Sequence, residues 1–122
     1  IDCILNNEEN NLSKFLLNSI SSICNYLGIK TDILVSSSCS PKRELKGESR
    51  IIEICKNIGA NTYINPPGGK HLYNYSSFSG EGIDLHFLEQ TKNEEYLCSI
   101  AQILFRKNKQ DIKSELYKFK LN

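Results

Sequence analysis

The chain has 122 residues, of which 39% are hydrophobic and 24% are charged, and its formal net charge is +1 at pH 7. This length suits one soluble domain that buries a core without cross-links, and the balanced charge excludes a global field that would recruit nucleic acid or an anionic membrane. No apolar run approaches the roughly 20 residues that a membrane span needs, so we predict no nucleic-acid partner and no membrane insertion.

The first half of the chain repeats a helix-glycine-strand pattern. Apolar residues recur at helical spacing from Leu12 to Leu27, and Thr31 to Ser36 is then typical of a short buried strand. A second helix is predicted from about Glu48 to Ile58, followed by a strand over Thr62 to Asn65. A glycine ends each helix. Two such units in succession indicate parallel βαβ construction.

The second half adds one strand and two helices. After a short helical turn around Phe78, residues Ile83 to Phe87 alternate between apolar and polar, which predicts a strand with one buried face. Helical patterns return from Glu95 to Arg106 and again after Asn108, which is a suitable cap. The predicted fold class is therefore α/β: a parallel-type βαβ layer fold, like half of a Rossmann fold, with two C-terminal helices in a single domain over residues 1–122.

The five cysteines contain no Cys-x-x-Cys pair, so the sequence predicts neither a metal site nor a cofactor. Free thiols are typical of the reducing cytoplasm, where we expect this protein to lie. The chain also has no methionine and no signal-peptide pattern. We therefore expect it to be a piece of a longer protein.

The candidate site lies after the strand over Thr62 to Asn65, where open α/β sheets bind ligands. Pro66-Pro67-Gly68-Gly69 follows this strand, and the Gly68 and Gly69 N–H groups could meet a phosphate or carboxylate. A plain tight turn is the alternative. His71 is a candidate general base near neutral pH, or else an exposed loop histidine.

Further polar and aromatic residues are predicted to join this site. The aromatic residues Tyr63, Tyr73, Tyr75 and Phe78 could stack on a sugar or base, or Tyr73 and Phe78 could simply pin the loop to the core. The Ser36-Ser37 pair ends the first predicted strand and would lie beside Asn65 in a parallel sheet. Arg50 could reach a phosphate across the same crevice, or it is a plain surface charge.

These motifs resemble those of the WbqC-like family of bacterial proteins over nearly the whole chain. The matching segments are Leu27-Gly28-Ile29, Ser36-Ser37, Arg50 to Lys56, Gly59-Ala60, Tyr63-Ile64-Asn65-Pro66-x-Gly68-Gly69, Leu72-Tyr73, Phe78, Gly82-Ile83-x-Leu85-x-Phe87, Tyr96, Ser99-Ile100 and Leu104-Phe105. The resemblance implies a place in surface-polysaccharide (O-antigen) biosynthesis. It also implies an acyl or glycine transferase that acts on a nucleotide-linked amino sugar, with a nucleotide sugar or an acyl donor as its small-molecule partner.

Two departures from the family pattern qualify this implication. The His-Gln-Pro-Asn-Tyr segment of the family's N-terminal half does not occur, so we expect this chain to be the C-terminal portion of the architecture, with that half missing. The family's Ser-Ile-Ile-Asp reads Ser99-Ile100-Ala101-Gln102, which makes Gln102 a ligand-binding candidate whose amide replaces a carboxylate. The alternative hypothesis is a non-catalytic sugar- or nucleotide-binding module, or a degenerate remnant, of the same pathway.

Overall fold

The computed structural model describes residues 2–42, 44–89 and 99–122, without the side chains of Cys3 and Leu5. It contains two compact units. The helical unit comprises residues 1–33 and 93–118, and the sheet unit comprises residues 34–92 and 119–122. The elements in chain order are α1 (Asp2–Leu5), α2 (Leu12–Leu27), α3 (Ser36–Cys39), α4 (Gly47–Asn57), β1 (Thr62–Asn65), a 3₁₀ helix (Pro67–Leu72), α5 (Tyr75–Ser79), β2 (Asp84–Phe87), α6 (Ile100–Arg106) and α7 (Lys109–Leu116).

Local capping signals set the helix ends of the helical unit. The Asn11 side chain accepts a hydrogen bond from the Lys14 N–H at the start of α2, and Asn108 accepts from the Asp111 N–H at the start of α7. Gly28 ends α2 with a φ of 70°, a left-handed conformation that favours glycine. The predicted bounds of α2 and the Asn108 cap are confirmed.

Among the described residues of the helical unit, Leu27, Ile103 and Ile112 form a buried cluster. Leu12 and Ile20 on α2 are 71% and 50% exposed. The third predicted helix begins at Ile100 in the structure, and the part predicted over residues 95–98 lies outside the described residues.

The sheet unit is built on a parallel pair of strands. β1 and β2 pair in register from Thr62 with Asp84 to Asn65 with Phe87, and residues 66–83 make the crossover that a parallel pair requires. The last residues of the chain pair alongside the other edge of β2, where Leu88 and Leu121 form an antiparallel bridge. The predicted strands over Thr62–Asn65 and Ile83–Phe87 are confirmed as β1 and, from Asp84, as β2.

Alternation along β2 buries one face of this sheet. Leu85 and Phe87 are buried, while Asp84 is exposed and His86 is half-buried. The buried residues pack into a cluster with α4 and α5 that contains Cys55, Phe78, Ile83, Leu85 and Phe87. Phe78 is at its centre with no exposed surface.

The strand predicted over Thr31 to Ser36 is wrong. Residues 31–35 are in no regular element, and Ser36 begins the short helix α3. Leu34 is 59% exposed and Val35 is 42% exposed, so no neighbouring strand or core covers this apolar segment. A β-type sequence forms a strand only where it packs against a neighbour. The structure is thus a mixed helix-strand fold with a two-stranded parallel sheet, and the first of the two predicted helix-glycine-strand units lacks its strand.

We expect Phe78→Ala to lower the free energy of unfolding by about 3–5 kcal/mol, because it removes a fully buried ring and leaves a cavity. Phe105→Ala is the matched control: its ring is 78% exposed, and the change should stay within about 0.5 kcal/mol. Urea unfolding followed by circular dichroism measures both. Equal losses in the two variants would contradict this account of the core.

Candidate functional site

Three aromatic rings tie the loop after β1 to the core of the sheet unit. The rings of Tyr63 and Phe78 stack with centroids 5.5 Å apart. The ring of Tyr73 meets both edge-on, at 5.7 Å from Tyr63 and 5.9 Å from Phe78. Such pairs contribute about 0.5–1.5 kcal/mol each beyond the area they bury. These contacts agree with the interpretation in which Tyr73 and Phe78 pin the loop, and stacking of the aromatic rings on a ligand stays a prediction.

Gly69 is buried where the loop returns over β1. A Cβ built on Gly69 would overlap Nδ2 of Asn65 and would lie 3.3 Å from Cε2 of Tyr73, so only glycine fits without a shift of its neighbours. The Tyr63 hydroxyl donates to Oδ1 of Asn65 at 3.1 Å. Asn65 is therefore held between a tyrosine hydroxyl and a glycine, and the Gly69 N–H already donates to the Pro66 carbonyl at 3.1 Å.

Burial also changes the acidity of the Tyr63 hydroxyl. Desolvation, with a smaller effect from the neighbouring Tyr73 hydroxyl, raises the pKa of Tyr63. The neutral phenol is consequently the form that the folded protein stabilises.

An open depression lies on the solvent side of this loop, and we call it the donor depression. Its lining residues are Glu48, Lys70, His71, Leu72, Tyr73, Asn74 and Tyr75. Lys70 and His71 supply hydrogen-bond donors. Lys70 Nζ donates to the Asn122 side-chain oxygen at 2.7 Å, in the amide orientation that satisfies both atoms of Asn122, and an ammonium group has further hydrogens to offer.

Glu48 closes one end of the donor depression. Its Oε2 atom accepts a hydrogen bond from the Asn74 N–H at 2.5 Å, which connects the first turn of α4 to the residue before α5. Neither Glu48 nor Lys70 is among the site residues predicted from the sequence. The position of Glu48 in the first turn of α4 can be predicted from the local sequence. Its contact with Asn74 cannot, because the two residues are 26 positions apart in the chain.

Arg50 holds the segment that carries the predicted serines. Its guanidinium donates to the carbonyls of Lys42 at 2.9 Å and Ser36 at 3.4 Å. Lys42 also forms an ion pair with Glu53 at 3.0 Å, and this hydrogen-bonded lysine lowers the pKa of Glu53. The Ser36-Ser37 pair is exposed at the start of α3, so Arg50 serves here as a backbone anchor for it.

The structure thus brings together only part of the predicted set. His71 and Tyr73 line the donor depression, and Tyr63, Asn65 and Gly69 form its support. Gly68 is exposed, and no atom lies within 4 Å of the position that a Cβ would take there. Gln102 belongs to the helical unit, half-buried in the first turn of α6, where its N–H donates to Ser99 Oγ at 3.3 Å.

Among the residues described, no three His, Cys, Asp or Glu side chains come together in a group that could hold a metal ion. In the same part of the chain, no helix combines the length and the apolar character that crossing a membrane requires.

Comparison with known proteins gives a family match. The model of the WbqC-like protein family matches residues 1–108, which include both strands and the whole loop between them. No curated protein and no solved structure matches the chain.

We expect Gly69→Ala to lower the free energy of unfolding by about 1–3 kcal/mol, because the new methyl group overpacks against Asn65 and Tyr73. Gly68→Ala is the control, since nothing lies within 4 Å of its Cβ position. Adding Asn65→Ala to Gly69→Ala should recover part of the loss, which a double-mutant cycle measures. A cost that is purely additive would show that the two side chains do not meet.

The raised pKa of Tyr63 predicts a dependence on alkaline pH. The folded-state pKa lies above the unfolded value of about 10. The stabilisation from neutral Tyr63 is therefore fully present below pH ~10 and is lost as the pH rises through the folded-state pKa.

In a titration of tyrosinate absorbance, Tyr63→Phe should remove the late-ionising tyrosine from the six. Tyr117→Phe, whose ring is 68% exposed, is the control and should leave the late-ionising signal in place. If all tyrosines of the folded protein ionised together near pH ~10, the predicted burial effect would be absent.

Proposed function

The chain belongs to the WbqC-like protein family, and from this membership we propose that it acts in surface-polysaccharide (O-antigen) biosynthesis. In that pathway it holds a nucleotide-linked amino sugar or an acyl donor, and it transfers an acyl or glycyl group to an amine. One observation carries the proposal: Lys70 and His71 line the same open depression, beside the exposed ring of Tyr75. The Lys70 ammonium group and the His71 imidazole can donate hydrogen bonds to a phosphate. The Tyr75 ring beside them can stack on a sugar or base that carries this phosphate.

The proposed reaction needs a base and a hydrogen-bond donor. The amine nitrogen attacks the acyl carbonyl carbon, a C–N bond forms, and the bond to the leaving group breaks and its electron pair departs with that group. His71 takes the proton that the amine loses. The Lys70 ammonium neutralises the phosphate or the developing negative charge. Gly68 is the better backbone donor of the glycine pair, because the Gly69 N–H is engaged with Pro66.

The other candidates act as positioning groups in this proposal. Tyr63, Asn65, Gly69 and Tyr73 keep the loop in place through their mutual contacts. Arg50 fixes the backbone of Ser36 and thereby the Ser36-Ser37 hydroxyls. Gln102 stays a prediction as a ligand-binding residue.

A cytoplasmic location belongs to the same proposal. Cys24, Cys39 and Cys55 are free thiols, and thiols persist where the environment is reducing. Nothing else in the described residues bears on the compartment.

A non-catalytic binding module is the second candidate function. His71 is exposed and forms no side-chain hydrogen bond among the described residues, whereas a general base is usually oriented by a partner. The family's carboxylate is also replaced by Gln102. Binding of the donor without turnover would favour this candidate.

We expect uridine diphosphate and uridine-diphosphate sugars to raise the melting temperature of the chain. A ligand at 100 times its Kd adds about 2.7 kcal/mol to the free energy of unfolding, which corresponds to a shift of several degrees. Lys70→Ala should weaken binding by about tenfold or more, because it removes a charge-assisted contact. Lys14→Ala on α2 removes the same charge from an exposed position in the helical unit and should leave the shift unchanged.

Turnover separates the two candidate functions. Transfer of a labelled acyl group to an amino sugar, reduced about 100-fold or more in His71→Ala, would establish the transferase. A melting shift with full binding and no transfer would establish the binding module. No shift with any nucleotide, sugar nucleotide or acyl-coenzyme A would contradict both.

A further inference from the structure

Tyr75 lines two depressions, one with a lysine and the other with an aspartate among its lining residues. It is 55% exposed, and it lines both the donor depression and a second one between α5 and β2. Its edge-to-face contact with the buried Phe87 ring, at 6.0 Å, restrains the orientation of the tyrosine. We call the second depression the acceptor depression; it is lined by Tyr75, Ser76, Ser79, Ile83, Asp84, Leu85 and His86.

The two serines of the acceptor depression offer lone pairs. Ser76 Oγ donates its hydrogen to Asn74 Oδ1 at 2.9 Å, and Ser79 Oγ donates to the Ser76 carbonyl at 3.3 Å. Each hydroxyl carries one hydrogen and two lone pairs. Since both hydrogens are engaged within the loop, a ligand would find acceptors at these two positions.

Asp84 adds a carboxylate that is available to a ligand. It is exposed at the first position of β2, and its side chain has no hydrogen bond or ion pair among the described residues. The half-buried imidazole of His86 also lines this depression, but no lysine or arginine does, in contrast to Lys70 in the donor depression. The carboxylate and the lone pairs disfavour a phosphate here and favour a cationic or hydroxyl-bearing group.

The apolar part of the lining fits a ring. Ile83 and Leu85 are only 2% and 6% exposed, so the accessible apolar surface comes from the ring of Tyr75, whose face attracts an ammonium group as well as C–H groups. A small cyclic molecule with hydroxyl groups on one side and apolar hydrogens on the other complements both halves of this lining.

We propose that the acceptor depression binds the free ammonium group of a hydroxylated ring, that is, an amino sugar that has not yet been acylated. The inference rests on the proposed function in one respect: it assigns the amine substrate to the acceptor depression and the anionic donor to the donor depression. Tyr75 then contacts both ligands. Asp84 accepts from the ammonium group, and Ser76 and Ser79 accept from the ring hydroxyls.

Nuclear magnetic resonance titration of the ¹⁵N-labelled chain tests this assignment with defined probes. Glucosamine should shift the amide signals of residues 75–86. Glucose, which lacks the amine, and N-acetylglucosamine, whose nitrogen is uncharged, should bind about tenfold more weakly because the charge-assisted contact is lost. Equal affinity for the three sugars, or shifts confined to other residues, would overturn the proposal.

Asp84→Asn removes the charge at an exposed position and should weaken glucosamine binding about tenfold. Asp32→Asn is the matched control, because Asp32 is exposed and lines neither depression; it should leave glucosamine binding unchanged. Undiminished affinity in Asp84→Asn, or an equal loss in the two variants, would show that Asp84 does not hold the ammonium group.

Uridine diphosphate in a separate titration distinguishes this inference from the proposed function. Shifts of residues 70–74 with uridine diphosphate, but none of residues 75–86 with glucosamine, would overturn the amino-sugar subsite and leave the donor site in place. The reverse result would support the subsite and contradict the binding of a nucleotide in the donor depression.

Discussion

The stack of Tyr63 on Phe78, with Tyr73 edge-on to both, is the contact on which the site depends. It joins β1, the end of the 3₁₀ helix and α5, three elements that local hydrogen bonds alone would leave independent. By closing the loop over β1, it brings Gly69 against Asn65. The positions of Lys70 and His71 follow from this closure, because both residues lie between Gly69 and Tyr73 in the chain.

Some polar side chains of the sheet unit form hydrogen bonds within the protein, and others remain available to a ligand. Arg50 and Asn65 are engaged by the protein itself, as buried or half-buried polar groups generally must be. Exposed groups such as His71 and Asp84 keep their capacity for a ligand. A residue type that looks suited to ligand binding can therefore serve mainly to hold the backbone, and Arg50 is the clearest case.

The chemistry of amine acylation makes opposite demands on its two substrates. An anionic donor needs cations and N–H groups around it, whereas an ammonium group needs acceptors and later a base. A single pocket with one electrostatic character serves only one of these. Lys70 on one side of Tyr75 and Asp84 on the other provide two environments within one short stretch of chain, which is consistent with the transferase proposal and with its amino-sugar substrate.

The sequence by itself determined the features that depend on neighbours along the chain. Asn11 and Asn108 as caps, the glycine ends of the helices and the alternation along β2 were predictable, since each rests on backbone geometry within a few residues. The segment 31–36 was mispredicted because strand formation requires a partner, and its side chains remain exposed. The contact of Glu48 with Asn74 and the placing of Gln102 in a different unit from His71 were decided only by the tertiary structure. These arrangements depend on packing between residues that are far apart in the chain, so no local sequence pattern predicts them.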